Sequence, residues 1–502
     1  MDLLLSGFGA LTDPDLLLLI VVTTLVGTVI GVLPGLSGTT GAALVLPFTL
    51  TMDPISAVVV LATIYGASTF AGCITAILIN TPGTSASATT CLDGYPLARR
   101  GEAGRAIGIA TLSSSFGGII SVLFLLFAAP LLAGVAYEFG PPEYFALTVF
   151  GLSMLATIGG GSAAKSLIAG SIGVLIATVG VHLATGIERY TFSSDALYDG
   201  IGFVPVMIGL FGIAEFLRQS TQLGLKREII GMSATRLPSW ADLRRIRNTV
   251  FRSTGIGTFI GVLPAEGATI ASMISYNEAR RTSSQKEEFG NGAIEGVAAS
   301  EAANNSAVGG SLVPTLALGI PGSPTAAIIL AGLLAQGVQP GPTLFTEQTN
   351  LLSALFAALL LGNILFIAVG LGGAKIYARI TQVPVPILWP LVFLFSVIGA
   401  YAIRQSVFDV YVTLAFGVIG FLMQRYDFSV VSLAIGLVLG GMVEQRLGQS
   451  IAMYDGAWWM MFTRPIALVF SALTLLTLAG PPISAWLKKR KQARGDHKEA
   501  RT

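Results

Sequence analysis

The sequence predicts an all-α polytopic membrane protein made of two inverted-topology repeats, each with broken or re-entrant helices, plus one extra C-terminal helix. Three observations predict it. Of 502 residues, 53% are hydrophobic and only 11% charged, with a mean hydropathy of +0.76. Soluble chains carry about 25% charged residues, so the surplus apolar surface has to face lipid. Apolar stretches of membrane-spanning length recur along the chain, and the segment 27–34 (GTVIGVLP) returns as 257–264 (GTFIGVLP) with one change, Val29 for Phe259.

In chain order, the stretch 15–33 comes first, preceded by Asp2, Asp13 and Asp15 and by no Lys or Arg, which puts the N-terminus outside. Spans of the ~20 residues that ~30 Å of hydrocarbon requires follow at 106–136, 143–160, 166–185, 201–217, 351–373, 385–403, 408–423, 428–443 and 465–486. Two further apolar regions, 34–92 and 254–337, are interrupted by Gly, Pro, Ser and Asn more often than a straight lipid-facing helix tolerates. The hydrophilic stretch 218–252 carries Arg218, Lys226, Arg227, Arg236, Arg244, Arg245, Arg247 and Arg252 against Glu228 and Asp242, so it is expected in the cytoplasm. The tail with Lys488, Lys489, Arg490, Lys491 and Arg494 is expected there too. The expected organisation is a first membrane repeat at 15–217, a basic cytoplasmic linker at 218–252, a second membrane repeat at 253–443, an extra transmembrane helix at 465–486 and a basic cytoplasmic tail at 487–502.

A second pair of matched segments follows in the same order in each half. Asn80-Thr81-Pro82-Gly83-Thr84 corresponds to Gly319-Ile320-Pro321-Gly322-Ser323, and Tyr65-Gly66 falls opposite Asn304-Asn305. Arg99, Arg100 and Arg105 put the loop after the first irregular region inside, whereas the matching loop 338–350 has Glu347 and no Lys or Arg, so it belongs outside. The halves therefore have opposite topology, the arrangement of secondary transporters, whose site lies at the repeat interface near the bilayer midplane.

The interrupted segments suggest what that site holds. Proline removes a backbone donor and glycine frees the dihedrals, leaving amides and carbonyls without helical partners. Such groups persist in a membrane only inside protein or beside a watery cavity. Helix N-termini favour an anion, and Ser, Thr and Asn oxygens suit Na⁺. The candidate substrate-binding residues are Gly35, Ser37, Gly38, Thr39, Thr40, Asn80, Thr81, Pro82, Gly83, Thr84, Asn304, Asn305, Gly319, Pro321, Gly322, Ser323 and Thr325. The candidate coupling-ion residues are Glu266 and Glu301, ionisable groups within the second irregular region. The same motifs also read as kinked helices with a small-residue packing face, and Asn304-Asn305 as a polar cross-link between helices. Three stretches, 35–40, 80–84 and 319–325, contain no basic residue, so amide dipoles and a cation have to balance a bound anion.

Other classes fit poorly. A net charge of +2 with basic residues in short loops does not suggest nucleic acid. Cys73 and Cys91 form no metal-ligand spacing, and His182 and His497 are the only histidines, so neither a zinc site nor a Ser-His-Asp triad is expected. No cofactor is expected, and the chain does not read as an enzyme. A passive anion channel is the rival; it would need a continuous polar ring.

The run 92–101 (LDGYPLARRG), Phe289-Gly290 with Glu301-Ala302-Ala303-Asn304-Asn305, and Leu318 to Ser323 with Pro340-Gly341-Pro342 resemble the large membrane subunit of the tripartite tricarboxylate transporter family over about residues 15–485. The resemblance implies a multi-pass carrier of the bacterial inner membrane that takes up di- or tricarboxylates on a Na⁺ or H⁺ gradient. It also implies two protein partners, a small membrane subunit and a periplasmic solute-binding protein that delivers the substrate. The family's Gly-Pro signatures fall on Gly31, Pro34, Gly35, Asn80, Pro82, Gly83, Asp93, Gly94, Pro321 and Gly322. The chain departs from them at Pro264-Ala265-Glu266, where glycine usually follows the proline.

Overall fold

A computed structural model of the chain describes residues 9, 12–33, 35–158, 162–182, 185–221, 237–263, 267–380 and 385–479. Pro34, Pro264, Glu266, residues 222–236 of the basic linker and the tail 487–502 lie outside the described residues, as do 480–486 of the last expected span.

The first interrupted region folds as α1 (Pro14–Val32), α2 (Gly38–Thr49) and α3 (Pro54–Ile79), and after a turn as α4 (Ala88–Leu97). The second folds as α9 (Trp240–Val262), α10 (Gly267–Thr282) and α11 (Ile294–Leu318), then α12 (Pro324–Ala335). Between them run α5 (Ala103–Ala136), α6 (Pro141–Ser153), α7 (Ala163–Ala177) and α8 (Phe203–Ser220). After α12 come α13 (Thr349–Ile380), α14 (Val385–Arg404), α15 (Val407–Arg425), α16 (Val430–Met453) and α17 (Pro465–Ala479). Seven helices among the described residues are long and apolar enough to cross a membrane, and the protein is an all-α polytopic membrane protein.

Local sequence explains the breaks. Asp13 and Asp53 cap α1 and α3, each followed by proline at the first helical position, where the missing N–H costs nothing. α1 and α9 both end because the next residue but one is proline, which drives Leu33 (ψ 119°) and Leu263 (ψ 130°) into extended backbone. α3 and α11 both end on a left-handed residue, Asn80 at φ 51° and Gly319 at φ 71°. α2 and α12 have 12 residues each, about 18 Å at 1.5 Å per residue, and cannot cross the bilayer alone.

The chain divides into two compact units that cut across the sequence halves: residues 1–137 with 202–423, and 138–201 with 424–502. In the first unit, α3 and α11 are buried on nearly every face. Each receives the preceding helix of its own repeat through glycines: a Cβ on Gly31 would lie 2.4 Å from the Ser68 carbonyl, and one on Gly261 would lie 2.6 Å from the Ala307 carbonyl. Small residues let membrane helices touch backbone to backbone, so the repeated GTxIGVLP segment is a packing face as well as a break. α1 and α3 begin at one end of this unit, where Asp13, Asp53 and Asn350 line a cavity of about 750 Å³. α9 and α11 begin at the other, where Arg245 bridges Glu288 and Glu295. There Asp93, at the exit of the first repeat, meets Gly290, Gly292 and Ala293 at the start of α11. The two repeats thus run in opposite senses.

The second unit corrects two expected spans. The stretch 143–160 is helical in α6 to Ser153 and, after a break at Met154, in a separate four-residue helix at Leu155–Ile158. The stretch 166–185 ends its helix at Ala177, after 15 residues, and turns at Gly180 (φ 117°) into a ribbon in which β1 (Gly180–Val181) pairs antiparallel with β2 (Glu188–Arg189). Apolar residues continue past the helix end there, which misleads a composition window. The linker boundary also moves. α8 runs to Ser220 and α9 starts at Trp240, so Arg244, Arg245, Arg247 and Arg252 lie on a helix of the second repeat, whose beginning precedes the expected residue 253.

At the start of α9, Ser239 and Asp242 form a capping box, and Asp242 also accepts from Arg105 Nε at 3.0 Å and Arg105 Nη2 at 2.5 Å. The Arg105 hydrogen bonds lower the Asp242 carboxyl from 3.8 to about 2. Because the folded value is depressed, the pair stabilises the fold fully at neutral pH and loses that contribution as pH falls through about 2. Arg105→Ala should therefore lower the thermal unfolding temperature of purified protein at pH 7, and the difference from wild type should shrink below pH 4, near the ordinary Asp value of ~3.9. An equal difference at every pH would show that the pair does not act this way.

Candidate functional site

Two turns and two helix starts converge where α3 and α11 stop. In the first turn, Gly83 N–H donates to the Gly72 carbonyl at 3.2 Å, and Thr84 Oγ1 accepts from Ser87 N–H at 3.3 Å. In the second, Gly322 N–H donates to Thr315 Oγ1 at 3.2 Å, and Ser323 Oγ accepts from Ala326 N–H at 3.0 Å, capping α12. The glycines are required for space. A Cβ on Gly83 would lie 2.4 Å from the Gly31 carbonyl and 2.7 Å from Gly72 Cα; one on Gly322 would lie 2.6 Å from the Ser311 carbonyl. Gly72 and Ser311 hold corresponding places, eight residues before Asn80 and Gly319.

The repeats meet through exchanged hydroxyl pairs. Thr39 Oγ1, at the start of α2, lies 2.9 Å from Thr325 Oγ1 after the second turn. Ser85 Oγ, after the first turn, lies 2.9 Å from Thr269 Oγ1 at the start of α10. Across the middle, Tyr65 Oη on α3 sits 2.9 Å from Ser323 Oγ and 3.1 Å from Ser311 Oγ, while Asn304 Nδ2 on α11 donates to the Thr69 carbonyl at 3.4 Å. Each central helix therefore sends one polar side chain to the other repeat.

The turns differ in access. Asn80 and Ser85 are exposed and Thr81, Pro82 and Thr84 half-buried, whereas Gly319, Pro321, Gly322, Ser323 and Thr325 are all buried. One turn is open and its counterpart is closed under Tyr65.

Of the sequence candidates, Thr39, Thr325 and Ser323 are joined directly across the repeats, and Asn80 to Thr84 line the open turn. Gly35 (φ 93°) packs against Gln219, a Cβ there lying 2.2 Å from Nε2. Ser37 caps α2, accepting from Thr40 N–H at 3.1 Å, with Thr40 Oγ1 3.0 Å away. Gly38 packs against Ser68, a Cβ there lying 2.5 Å from Oγ. Asn305 points away from the turns, donating to Ser114 Oγ on α5 at 2.9 Å. Glu301 is fully buried on α11; its Oε1 accepts from Thr90 Oγ1 at 2.5 Å and Oε2 from Ser114 Oγ at 3.2 Å. Tyr65, Ser85, Thr269 and Ser311 join the site without being among the sequence candidates. Tyr65 is legible as the position opposite Asn304 in the repeat, a polar group inside an apolar run, and Thr269 as one of the residues that break the apolar run of the second half; Ser85 and Ser311 carry no signal apart from being hydroxyls.

The description "Tripartite tricarboxylate transporter TctA family" matches residues 17–435 of this chain. The chain is 39% identical over 474 residues to an uncharacterized 52.8 kDa protein in the TAR-I ttuC' 3'region of Agrobacterium vitis, with 93% of each chain covered. It is 34% identical over 236 residues to an uncharacterized protein in the TAR-II ttuC' 3'region of the same organism, covering 47% of this chain and 98% of that one. No solved structure matches the chain.

Proposed function

The chain belongs to the tripartite tricarboxylate transporter TctA family, and from that premise we propose that it carries a di- or tricarboxylate across the bacterial inner membrane by alternating access. Uptake is coupled to Na⁺ or H⁺. A periplasmic solute-binding protein delivers the substrate and a small membrane subunit completes the assembly. The N-terminus lies in the periplasm and the C-terminus in the cytoplasm, as the clusters of arginine at Arg99–Arg105 and Arg244–Arg252 favour.

One observation carries this reading: two matched turns in oppositely running repeats, one accessible and one closed, cross-linked by exchanged hydroxyls. Carboxylate oxygens bind to hydroxyls of the 80–84 and 319–325 turns and to hydroxyls and amides of the α2 start, at helix N-termini where partial positive charge collects. Translocation exchanges the roles of the turns, opening 319–325 and closing 80–84. No described ion pair involves the residues of these turns, so a co-transported cation supplies the balancing charge.

The test is accumulation of radiolabelled citrate, and of a panel of dicarboxylates, by cells expressing the complete three-component system. Saturable uptake against the gradient, lost when ion gradients are collapsed, is expected. Downhill, non-saturating flux that ignores the gradients would point to a passive anion channel instead. Tyr65→Phe keeps the ring and removes the hydroxyl that bridges Ser311 and Ser323. Two net hydrogen bonds of about 1 kcal/mol each correspond to a shift of roughly ten- to thirtyfold toward the form with the second turn open. Labelling of an Ile320→Cys reporter, buried in the same turn and leaving both hydroxyl partners of Tyr65 in place, by an impermeant maleimide from the periplasmic side should speed up by about that factor; unchanged labelling would remove Tyr65 from the closure.

A further inference from the structure

The buried carboxyl groups of the protein separate into two kinds. Among the described residues, Glu143, Glu215, Asp242 and Asp409 are buried and each is held by an arginine: Arg464, Arg218, Arg105 and Arg404. Asp93 is buried and accepts three backbone N–H groups at 2.8, 2.8 and 2.9 Å. Glu301, at 0% exposure in the middle of α11, has neither. Its partners are the hydroxyls of Thr90 and Ser114 and the side chain of Asn304.

A carboxylate without a cation or an amide nest is costly to bury, so such a group is either neutral or part of the working cycle. The geometry points to Glu301 as a proton-carrying site that couples carboxylate movement to the proton gradient. This rests on the transport reading above and chooses, within it, the proton over Na⁺.

Three features support the proton. The direct partners of the carboxyl are the neutral hydroxyls of Thr90 and Ser114, with Ser114 Oγ also engaged by Asn305 Nδ2 at 2.9 Å, and a hydroxyl can donate to the charged carboxylate or accept from the protonated acid. Burial opposes the charge while the hydroxyl donors favour it, so the group can both take and release a proton. The titratable side chains that feel its charge are the thiols Cys73 on α3 and Cys91 on α4. Asp93 on α4 faces Gly290, Gly292 and Ala293 instead, and Arg245 on α9 is held by Glu288 and Glu295.

The position also links proton to substrate. Thr90 lies on α4, the helix that continues directly from the open 80–84 turn, whereas Glu301 lies on α11, which ends in the closed turn. A proton arriving from water adds to a carboxylate oxygen. When it adds to Oε1, the charge-assisted hydrogen bond from Thr90 is replaced by a neutral one in which Thr90 Oγ1 accepts or turns away, which loosens a bond between the two repeats; loss of the proton restores it. Charge at Glu301 and the relative position of the turns are thereby coupled.

The test does not require transport. Full-length protein in lipid is titrated while infrared difference spectra follow the C=O stretch of a protonated buried carboxyl. Wild type should show a band that disappears as pH rises; Glu301→Gln should lack it and Asp93→Asn should keep it. Thr90→Val, which retains the carboxyl, should displace its midpoint, and this variant covers the case in which Glu301→Gln does not fold. Added Na⁺ at fixed pH should leave the band unchanged. A band that persists in Glu301→Gln, no titrating band in wild type, or a band displaced by Na⁺ would each overturn the proposal. In transport, Glu301→Gln should lose proton-driven accumulation of citrate or of the dicarboxylate the wild type takes up, yet keep its downhill exchange. If wild type shows the infrared titration but moves no carboxylate, the transport reading fails and the proton site stands.

Discussion

Gly83→Ala and Gly322→Ala should each reduce carboxylate uptake to between a tenth and a hundredth of wild type while leaving the protein in the membrane. At both positions a methyl group would meet backbone, not a side chain that could rotate away: the Gly31 carbonyl at 2.4 Å in the first turn and the Ser311 carbonyl at 2.6 Å in the second. Overpacking of this kind costs about 1–3 kcal/mol. The strain can be relieved only by moving the turn that faces the substrate, so it falls on function before stability. Gly134→Ala on α5, where nothing lies within 4 Å of the added carbon, is the control and should transport normally. Measured initial rates decide it, and a normal rate in both turn variants would show that the turns tolerate displacement and do not form the site.

Asp93→Ala should be the most destabilising single substitution in the first unit. α11 begins at Ala293, which has no side-chain cap, and its leading backbone follows two left-handed glycines, Gly290 at φ 86° and Gly292 at φ 110°. Asp93 Oδ1 collects the N–H groups of Gly290, Gly292 and Ala293, so one side chain of the first repeat closes the helix start of the second. Removing it orphans two buried donors, those of Gly292 and Ala293, at about 1–3 kcal/mol each, and leaves the Gly290 N–H to water, a loss of roughly 2 kcal/mol or more. Asp93→Asn keeps an acceptor oxygen and should fall between alanine and wild type. Thermal unfolding in detergent provides the comparison; an alanine variant as stable as wild type would mean that α11 is fixed by its packing and does not need the cap.

The hairpins and central helices show how much could be read from residues alone. Apolar length located α1, α5 and α13 because a helix in lipid must satisfy its own backbone and be apolar for the thickness of the bilayer, whereas the continuous α3 lay hidden inside the stretch 34–92 read as interrupted. Apolar length misleads at 166–185, where apolar residues such as Val179 and Val181 continue past the end of α7 into a β-ribbon. It also misplaced the start of the second repeat, since the first turns of α9 are charged and helical at once. The repeated GTxIGVLP segment was legible as a duplicated feature, but its double use was not. The break at Leu33 follows from proline chemistry, whereas the contact of Gly31 with Ser68 depends on which helix lies alongside.

By itself the sequence determined that this chain lives in a bilayer, that it is duplicated with opposite polarity, and that its unwound, glycine- and proline-bearing turns come in matched pairs. These follow from composition, charge asymmetry and local backbone chemistry, all short-range. Only the tertiary structure decided which hydroxyls meet, that Tyr65 closes one turn while the other stays open, and that Glu301 alone among the buried carboxyls of the described residues has no arginine or amide nest. Those facts concern residues separated by up to 286 positions along the chain, as Thr39 and Thr325 are, and no local rule of periodicity or capping reaches that far.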